Sequence, residues 1–190
     1  MQWTRPKSVR QIGEIPGRGR IYMEDYVIRF VKRLAEQSHG MEKAEVLLGT
    51  SLICDGEKIY QISGVVEIHN FAGRSGPQLT DEDWDYIYSE MKENFTDLEI
   101  VGWFYSCQGF SVNQAGQLLQ MHKLNFENRI RFYIFMMKQT VKIVSFCIAA
   151  DSWKNKRVII FIMRKIRRCF IIWRGKIIVM FILWSRKMTA

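Results

Sequence analysis

Apolar residues in the first half of the chain follow helical spacing in some segments and form strand-length runs in others. Between residues 23 and 38, apolar positions recur every three or four residues with charged residues between them, which predicts an amphipathic helix. Residues 1–20 show no such period and contain prolines, glycines and many bases, so we expect an irregular basic arm. The apolar positions of the helix are Tyr26, Val27, Phe30, Val31 and Leu34.

Two apolar runs, residues 44–54 and 58–69, read as neighbouring β-strands. The pair Asp55 and Gly56 stands between them. An Asp-Gly pair in this position is a strong short-range signal for a tight hairpin turn, because both residues tolerate positive φ. The sequence therefore predicts a β-hairpin over residues 44–69.

The next elements are predicted from their boundary residues. Thr80 can cap a helix over residues 81–94, and Asp83 stands three positions later, where a capping box needs an acceptor. Residues 98–106 form an apolar run of strand length, and residues 111–124 return to helical spacing. Together with the hairpin, these elements predict an α/β fold of the mixed α+β kind.

Histidines and acids outside this pattern have simple structural interpretations. His39, His69 and His122 are far apart and have no metal-ligand spacing. His122 falls near the end of the third helix, where we expect it to interact with the helix dipole. The run of acids at residues 81–83 is interpreted as a solvated helix start.

The last third of the chain differs sharply from the rest in its charge and in how rarely proline and glycine occur. The chain has 28 Lys/Arg and 19 Asp/Glu; residues 129–190 contain 15 of the bases and one acid, Asp151, which gives +14 there and −5 over residues 1–128. No proline and only one glycine, Gly175, occurs in this tail. About sixty residues without turn signals are unusual for an ordinary domain.

Three interpretations of this tail remain open. A basic, aromatic segment can bind nucleic acid, or it can lie on a membrane surface, although its longest apolar block of eight residues, 177–184, is too short to span a bilayer. The third hypothesis is out-of-frame translation from about residue 129. Met136 followed by Met137 forces an aspartate codon in one alternative frame, so that frame can restore the missing acids.

Residues 100–110, IVGWFYSCQGF, carry a resemblance to a known family. They resemble the motif V-G-W-Y-H-S-H-P-G-F of the JAB/MPN (Mov34) metalloproteases, and the likeness extends over about residues 21–126. It implies an MPN/cytidine-deaminase-like curved β-sheet flanked by helices, within a domain at residues 21–128. In active members the two histidines and a later aspartate bind zinc, while a glutamate activates the bound water.

The resemblance places those functional positions on residues that lack the chemistry. The two histidines fall on Tyr105 and Cys107, the aspartate on Leu118, and the assisting serine on Ala115. The glutamate falls on Glu42, with Glu45 as a competing placement. The retained scaffold positions of the motif are Gly102, Trp103, Phe104, Ser106, Gly109 and Phe110.

We therefore expect no catalytic residues, no zinc and no other cofactor. The resemblance, which looks closest to metal-less bacterial members, implies an inactive domain that acts as a scaffold or binds a protein partner. A degenerate hydrolase built around Cys107 or Glu42 is the alternative, and a membrane-surface or nucleic-acid binder requires a genuine tail. Four scattered cysteines without a CxxC pair favour a reducing cytoplasm.

Overall fold

The computed structural model describes residues 6–15, 19–37, 41–72, 78–108, 112–126, 132–139, 143–152, 157–163, 169–173 and 176–180; beyond Phe126 it describes the backbone. The described elements comprise three helices and ten strands. In chain order they are β1 Val9–Ile15, β2 Gly19–Glu24, α1 Asp25–Gln37, β3 Lys43–Cys54, β4 Glu57–Glu67, α2 Asp81–Asn94, β5 Glu99–Gln108, α3 Val112–Phe126, β6 Phe132–Gln139, β7 Ile143–Ser152, β8 Arg157–Met163, β9 Cys169–Trp173 and β10 Lys176–Met180.

The strands form one mixed sheet in the order β1-β2-β4-β3-β5-β6-β7-β8-β9-β10. The pairs β2–β4 and β5–β6 are parallel, and the other described pairs are antiparallel. The predicted α+β class is confirmed. Within the part that carries the candidate site, β3 is flanked on both sides, by β4 and by β5.

The predicted hairpin is present as β3 and β4. Cys54 pairs with Glu57, so the connection has two residues, Asp55 and Gly56. Both have positive φ, 51° and 78°, as a type I′ turn requires. That turn matches the right-handed twist of the strands, which is why the Asp-Gly pair located the hairpin from sequence.

The second helix, α2, has the predicted bounds and the predicted cap. The Thr80 hydroxyl accepts a hydrogen bond from the Asp83 backbone N–H at 3.3 Å, and the Asp83 carboxylate accepts one from the Thr80 backbone N–H at 2.8 Å. Two backbone donors that the first helical turn cannot pair are thereby satisfied. Local chemistry alone determines where this helix begins.

The first helix, α1, begins two residues later than the spacing predicts and turns a different face inward. Met23 and Glu24 still pair with neighbouring strands, so the helix starts only at Asp25. Tyr26, expected in the apolar stripe, is 46% exposed, and its hydroxyl donates a hydrogen bond to the Ser63 carbonyl. The buried residues of α1 are Val27, Ile28, Val31 and Ala35.

The expectation of an irregular arm over residues 1–20 is wrong for residues 9–15 and 19–20, which form strands. Residues 9–15 form β1, which pairs with β2, and β2 pairs in turn with β4. Ile12 and Ile21 are buried, so these strands contribute to the core in spite of the many bases around them. Long-range pairing outweighs a local composition that favours irregular structure. Pro16 lies outside the described residues.

The helices cover both faces of the sheet. The face covered by α1 buries a cluster consisting of Ile12, Ile21, Met23, Val27, Ile28, Val31, Ala35, Leu47, Tyr60, Ile62, Val101 and Phe104. The face covered by α2 and α3 buries a second cluster consisting of Ala44, Val46, Leu48, Val66, Ile68, Leu79, Ile87, Trp103, Tyr105, Cys107, Leu118, Met121 and Phe126. Alternate residues of β3 and β5 belong to opposite clusters, as the two-residue period of a strand requires.

The sheet continues into the basic tail. Even in a tail translated out of frame, the apolarity of residues 132–137 and 141–148 allows them to pair as strands, and the structure has β6 at 132–139 and β7 at 143–152, paired antiparallel. The domain boundary near residue 128 and the out-of-frame origin of the tail stay predictions. Among the described residues, none of the helices combines the length and apolarity that a membrane span requires.

Candidate functional site

The candidate site lies where the start of β3 meets the end of β5. Ala44 pairs with Tyr105 and Lys43 pairs with Ser106. Residues directly opposite each other share a face of the sheet, so Tyr105 and Cys107 point to the α2–α3 side together with Ala44. Their membership of the cluster under α2 and α3 agrees with that register.

Glu42 is the acid that reaches this pair of residues. It precedes β3 and is half-buried, and its carboxyl group lies close enough to Tyr105 and Cys107 to raise the pKa of both. Leu118 of α3 belongs to the same buried cluster as Tyr105 and Cys107. Four of the positions assigned by the resemblance therefore come together. Ala115 lies in α3, but its side chain lies outside the described residues.

Glu45, the competing placement for the glutamate, lies on the opposite face. It pairs with Phe104 on one side and with Glu67 on the other, and Phe104 belongs to the cluster under α1. A strand side chain cannot reach through the sheet, so Glu45 does not face Tyr105. Of the two placements, the structure brings Glu42 to the site.

Burial keeps the two central groups of the site protonated. Desolvation raises the pKa of Tyr105 far above its ordinary value, and the neighbouring Cys107 and the hydrogen bond with Glu42 raise it further. Desolvation also raises the pKa of the Cys107 thiol to about 11; the Tyr105 hydrogen bond opposes this shift and the Glu42 charge adds to it. At neutral pH the site therefore holds a phenol and a thiol, without a thiolate nucleophile.

These residues do not fit a catalytic zinc ion. Such an ion is held by about three nitrogen, oxygen or sulfur ligands from the protein. Here the matching positions supply a neutral phenol, a neutral thiol and the hydrocarbon side chain of Leu118. Within the described ranges, no group of three or more His, Cys, Asp and Glu residues is arranged to hold a metal.

The scaffold residues of the motif build the core beside the site. Trp103 is fully buried, its indole N–H donates to His122 Nδ1 at 3.1 Å, and its ring stacks on Phe126 at 5.6 Å between centroids. Ser106 and Phe104 are buried on the other face, and Gly102 is buried in β5. Gly109 and Phe110 lie outside the described residues.

The expected helix-dipole role of His122 is wrong. His122 is 1% exposed and accepts the Trp103 hydrogen bond inside the core. A buried indole N–H needs an acceptor, and the third helix presents the imidazole to it. The spacing of His122 with apolar residues of the helix was the available signal for an inward orientation.

Asn125 is a structural residue that sequence reasoning missed. Its side-chain oxygen accepts a hydrogen bond from the Leu79 backbone N–H at 2.8 Å, and its side-chain nitrogen donates to the Met121 carbonyl at 2.8 Å. It thereby ties the end of α3 to the segment that leads into α2. A lone asparagine near a helix end gives no sequence signal for such a distant partner.

Comparison with known proteins adds no family to these observations. No protein-family model matches the chain, and a search of curated proteins finds no significant match.

The Cys107 thiol should react slowly with alkylating reagents. In the folded chain at pH 8, we expect iodoacetamide to modify the half-buried Cys54 well before Cys107, because Cys107 is buried and protonated. Peptide mapping by mass spectrometry measures both sites. In urea the difference should disappear, and equal rates in the folded protein would contradict the buried, neutral thiol.

Replacing His122 tests the hydrogen bond that it makes with Trp103. His122→Leu keeps an apolar volume but removes the acceptor of a buried N–H, so we expect a loss of about 1–3 kcal/mol in the free energy of unfolding. Urea denaturation measures the change. His122→Gln offers an acceptor again and should lose less; an equal loss in both variants would show that packing rather than the hydrogen bond matters.

Proposed function

We propose that this chain is a JAB/MPN-type domain that has lost the family's zinc chemistry and acts through contacts with a protein partner in the cytoplasm. One observation carries the proposal. Glu42, Tyr105, Cys107 and Leu118 come together in space, and these are the positions that the resemblance assigns to the catalytic glutamate and the metal ligands. Glu42 and Leu118 lie outside the motif at residues 100–110, so their approach to Tyr105 and Cys107 does not follow from that motif.

The chemistry of the converged residues supports an inactive domain. Glu42 retains a carboxylate suited to a general base, but a general base of this kind needs an activated water beside a metal. The neighbouring Tyr105 and Cys107 are neutral at physiological pH, and Leu118 has no donor atom. Tyr105, Cys107 and Glu42 instead act on one another within the cluster, and burial keeps Tyr105 and Cys107 protonated.

A hydrolase that uses Cys107 as its nucleophile is less well supported. Such an enzyme needs a thiolate, and a thiol with a pKa of about 11 is almost wholly protonated at pH 7. The groups that act on Cys107 are the Tyr105 hydroxyl, which lowers its pKa, and the Glu42 charge, which raises it. An activating histidine is the partner that cysteine nucleophiles usually have, and neither of these groups replaces it.

Restoring the metal ligands tests the assigned family positions. We expect the triple variant Tyr105→His, Cys107→His, Leu118→Asp to bind about one zinc ion per chain, because the three ligands would converge as they do in a catalytic site. The wild-type chain should hold no stoichiometric zinc. Metal analysis after dialysis and zinc titration by calorimetry measure both proteins.

A matched variant tests whether the three ligands must meet at the site, or whether their presence anywhere in the chain is enough to bind zinc. Tyr105→His, Cys107→His, Leu124→Asp has the same composition, but Leu124 is 52% exposed on α3 and lies outside the cluster. It should bind zinc much more weakly. Circular dichroism must show that both variants are folded. A folded ligand-restored variant without zinc contradicts the assigned positions, and stoichiometric zinc in the wild type contradicts the proposed loss of metal.

The binding role is tested with Glu42→Gln, which removes the carboxylate that, among the described residues of the site, has the chemistry of a general base. If the domain acts by contact, affinity capture with the full chain should recover the same partner with wild type and Glu42→Gln, with or without a chelator. Quantitative mass spectrometry of the captured proteins measures this. A peptide- or isopeptide-cleaving activity that Glu42→Gln abolishes would identify an enzyme instead.

A further inference from the structure

Two polar side chains are buried on the α1 face of the sheet, opposite the candidate site. Glu45 of β3 is 0% exposed and Ser106 of β5 is 2% exposed. Within the described structure, neither the carboxyl oxygens of Glu45 nor the Ser106 hydroxyl has a hydrogen-bond partner. Buried polar groups are normally paired, so this arrangement needs a physical explanation.

The strand register places these two groups side by side. Glu45 pairs with Phe104 and Lys43 pairs with Ser106, so Glu45 and Ser106 are diagonal neighbours on one face. Side chains of diagonal neighbours are separated by roughly 7 Å at their Cβ atoms, a gap that a glutamate can bridge by rotating its side chain. A protonated carboxyl group and a hydroxyl each donate and accept, so they can satisfy one another.

The charged neighbours of Glu45 do not neutralise it. Glu67 of β4 pairs directly with Glu45 across the strands, and Lys43 of β3 forms its ion pair with Glu67. The buried positions of α1 are apolar, and β5 adds only Phe104 and Ser106 here. Farther out, the charged residues of α1 are Asp25, Arg29, Lys32, Arg33 and Glu36, and Lys138 of β6 pairs with Gln108 of β5.

Burial and the negative charge of Glu67 both raise the pKa of Glu45. Desolvation raises its pKa well above the ordinary value of 4.5, the facing Glu67 raises it further, and Lys43 opposes the shift. An ionised carboxylate without a partner in an apolar core costs several kcal/mol, which is why the neutral acid is favoured there.

We propose that Glu45 of β3 and Ser106 of β5 form a proton-operated latch, a pair of side chains on the face of the sheet that α1 covers whose mutual hydrogen bond requires a protonated Glu45. With Glu45 protonated, the two side chains bond to each other and α1 lies closed over them. When Glu45 loses its proton, the carboxylate needs water, and the α1 face opens to admit it. The latch is independent of the proposed function, because it lies on the other side of the sheet from Tyr105 and Cys107.

The sign of the pH effect follows from the protonation states. Below about pH 4.5 Glu45 is protonated in both the folded and the unfolded chain, so its contribution to stability is complete. As the pH rises, the unfolded chain releases the proton first while the folded chain retains it. Each further pH unit then lowers the folding equilibrium constant by up to about tenfold, until the pH passes the raised pKa of the folded state.

The full chain and its Glu45→Gln variant test the latch. Urea denaturation between pH 5 and pH 8.5 should show the folding constant of the wild type falling with pH relative to that of Glu45→Gln, a neutral side chain of the same shape. Hydrogen exchange, corrected for its intrinsic pH dependence, should show α1 losing protection in the wild type while α2 does not. Glu99→Gln, an exposed position at the start of β5, should keep the wild-type slope.

If the Glu45→Gln variant fails to fold, two further measurements still test the proposal. The wild-type chain at pH 7 should show the infrared carbonyl band of a protonated carboxyl group. Glu67→Gln should flatten the pH slope, because Lys43 then becomes available to pair with Glu45. Any one of three results would overturn the proposal. They are the same pH slope in wild type and Glu45→Gln, the absence of the infrared band, and an equal rise in hydrogen exchange of α1 and α2 with pH.

Discussion

The register between β3 and β5 is the constraint on which the candidate site depends. Ala44 opposite Tyr105 and Glu45 opposite Phe104 send alternate residues of both strands to opposite faces. A shift of one residue would exchange the two sets and move Tyr105 and Cys107 under α1. The same pairing therefore determines that Glu42 meets Tyr105 and that Glu45 lies buried among apolar residues on the other side.

Packing around Trp103 holds that register. Its ring is enclosed between Phe126 and the sheet, and its N–H has His122 as an acceptor in α3. Trp84 of α2 packs edge-on against Phe126 at 5.8 Å, so one aromatic group joins both helices to β5. Aromatic pairs of this kind add stability beyond their buried area, and they position α3, which supplies Leu118 to the site.

Buried polar side chains lie on both faces of the sheet, but in different surroundings. Under α2 and α3, the Trp103 indole N–H donates a hydrogen bond to His122 Nδ1, and Tyr105 belongs to the same buried cluster as Cys107. Under α1, Glu45 and Ser106 sit in an apolar surrounding that makes ionisation costly. The resemblance assigns the family's chemistry to the first face, whereas the buried carboxyl group of Glu45, whose pKa is raised well above its ordinary value, lies on the second.

Local signals in the sequence determined the hairpin turn at Asp55 and Gly56 and the start of α2 at Thr80, because backbone conformation and capping depend on near neighbours. Apolar runs also identified β3, β4 and β5. Periodicity did not reveal β1, which lies in a basic, proline-flanked segment, and it did not reveal the outward position of Tyr26 or the burial of His122. Each of these depends on a partner elsewhere in the chain: β2, the Ser63 carbonyl and Trp103. The motif marked Tyr105 and Cys107, and the resemblance placed the glutamate on Glu42 but left Glu45 as a competing placement. Only strand pairing separated these two, because a strand sends alternate side chains to opposite faces and the tertiary structure decides what covers each face.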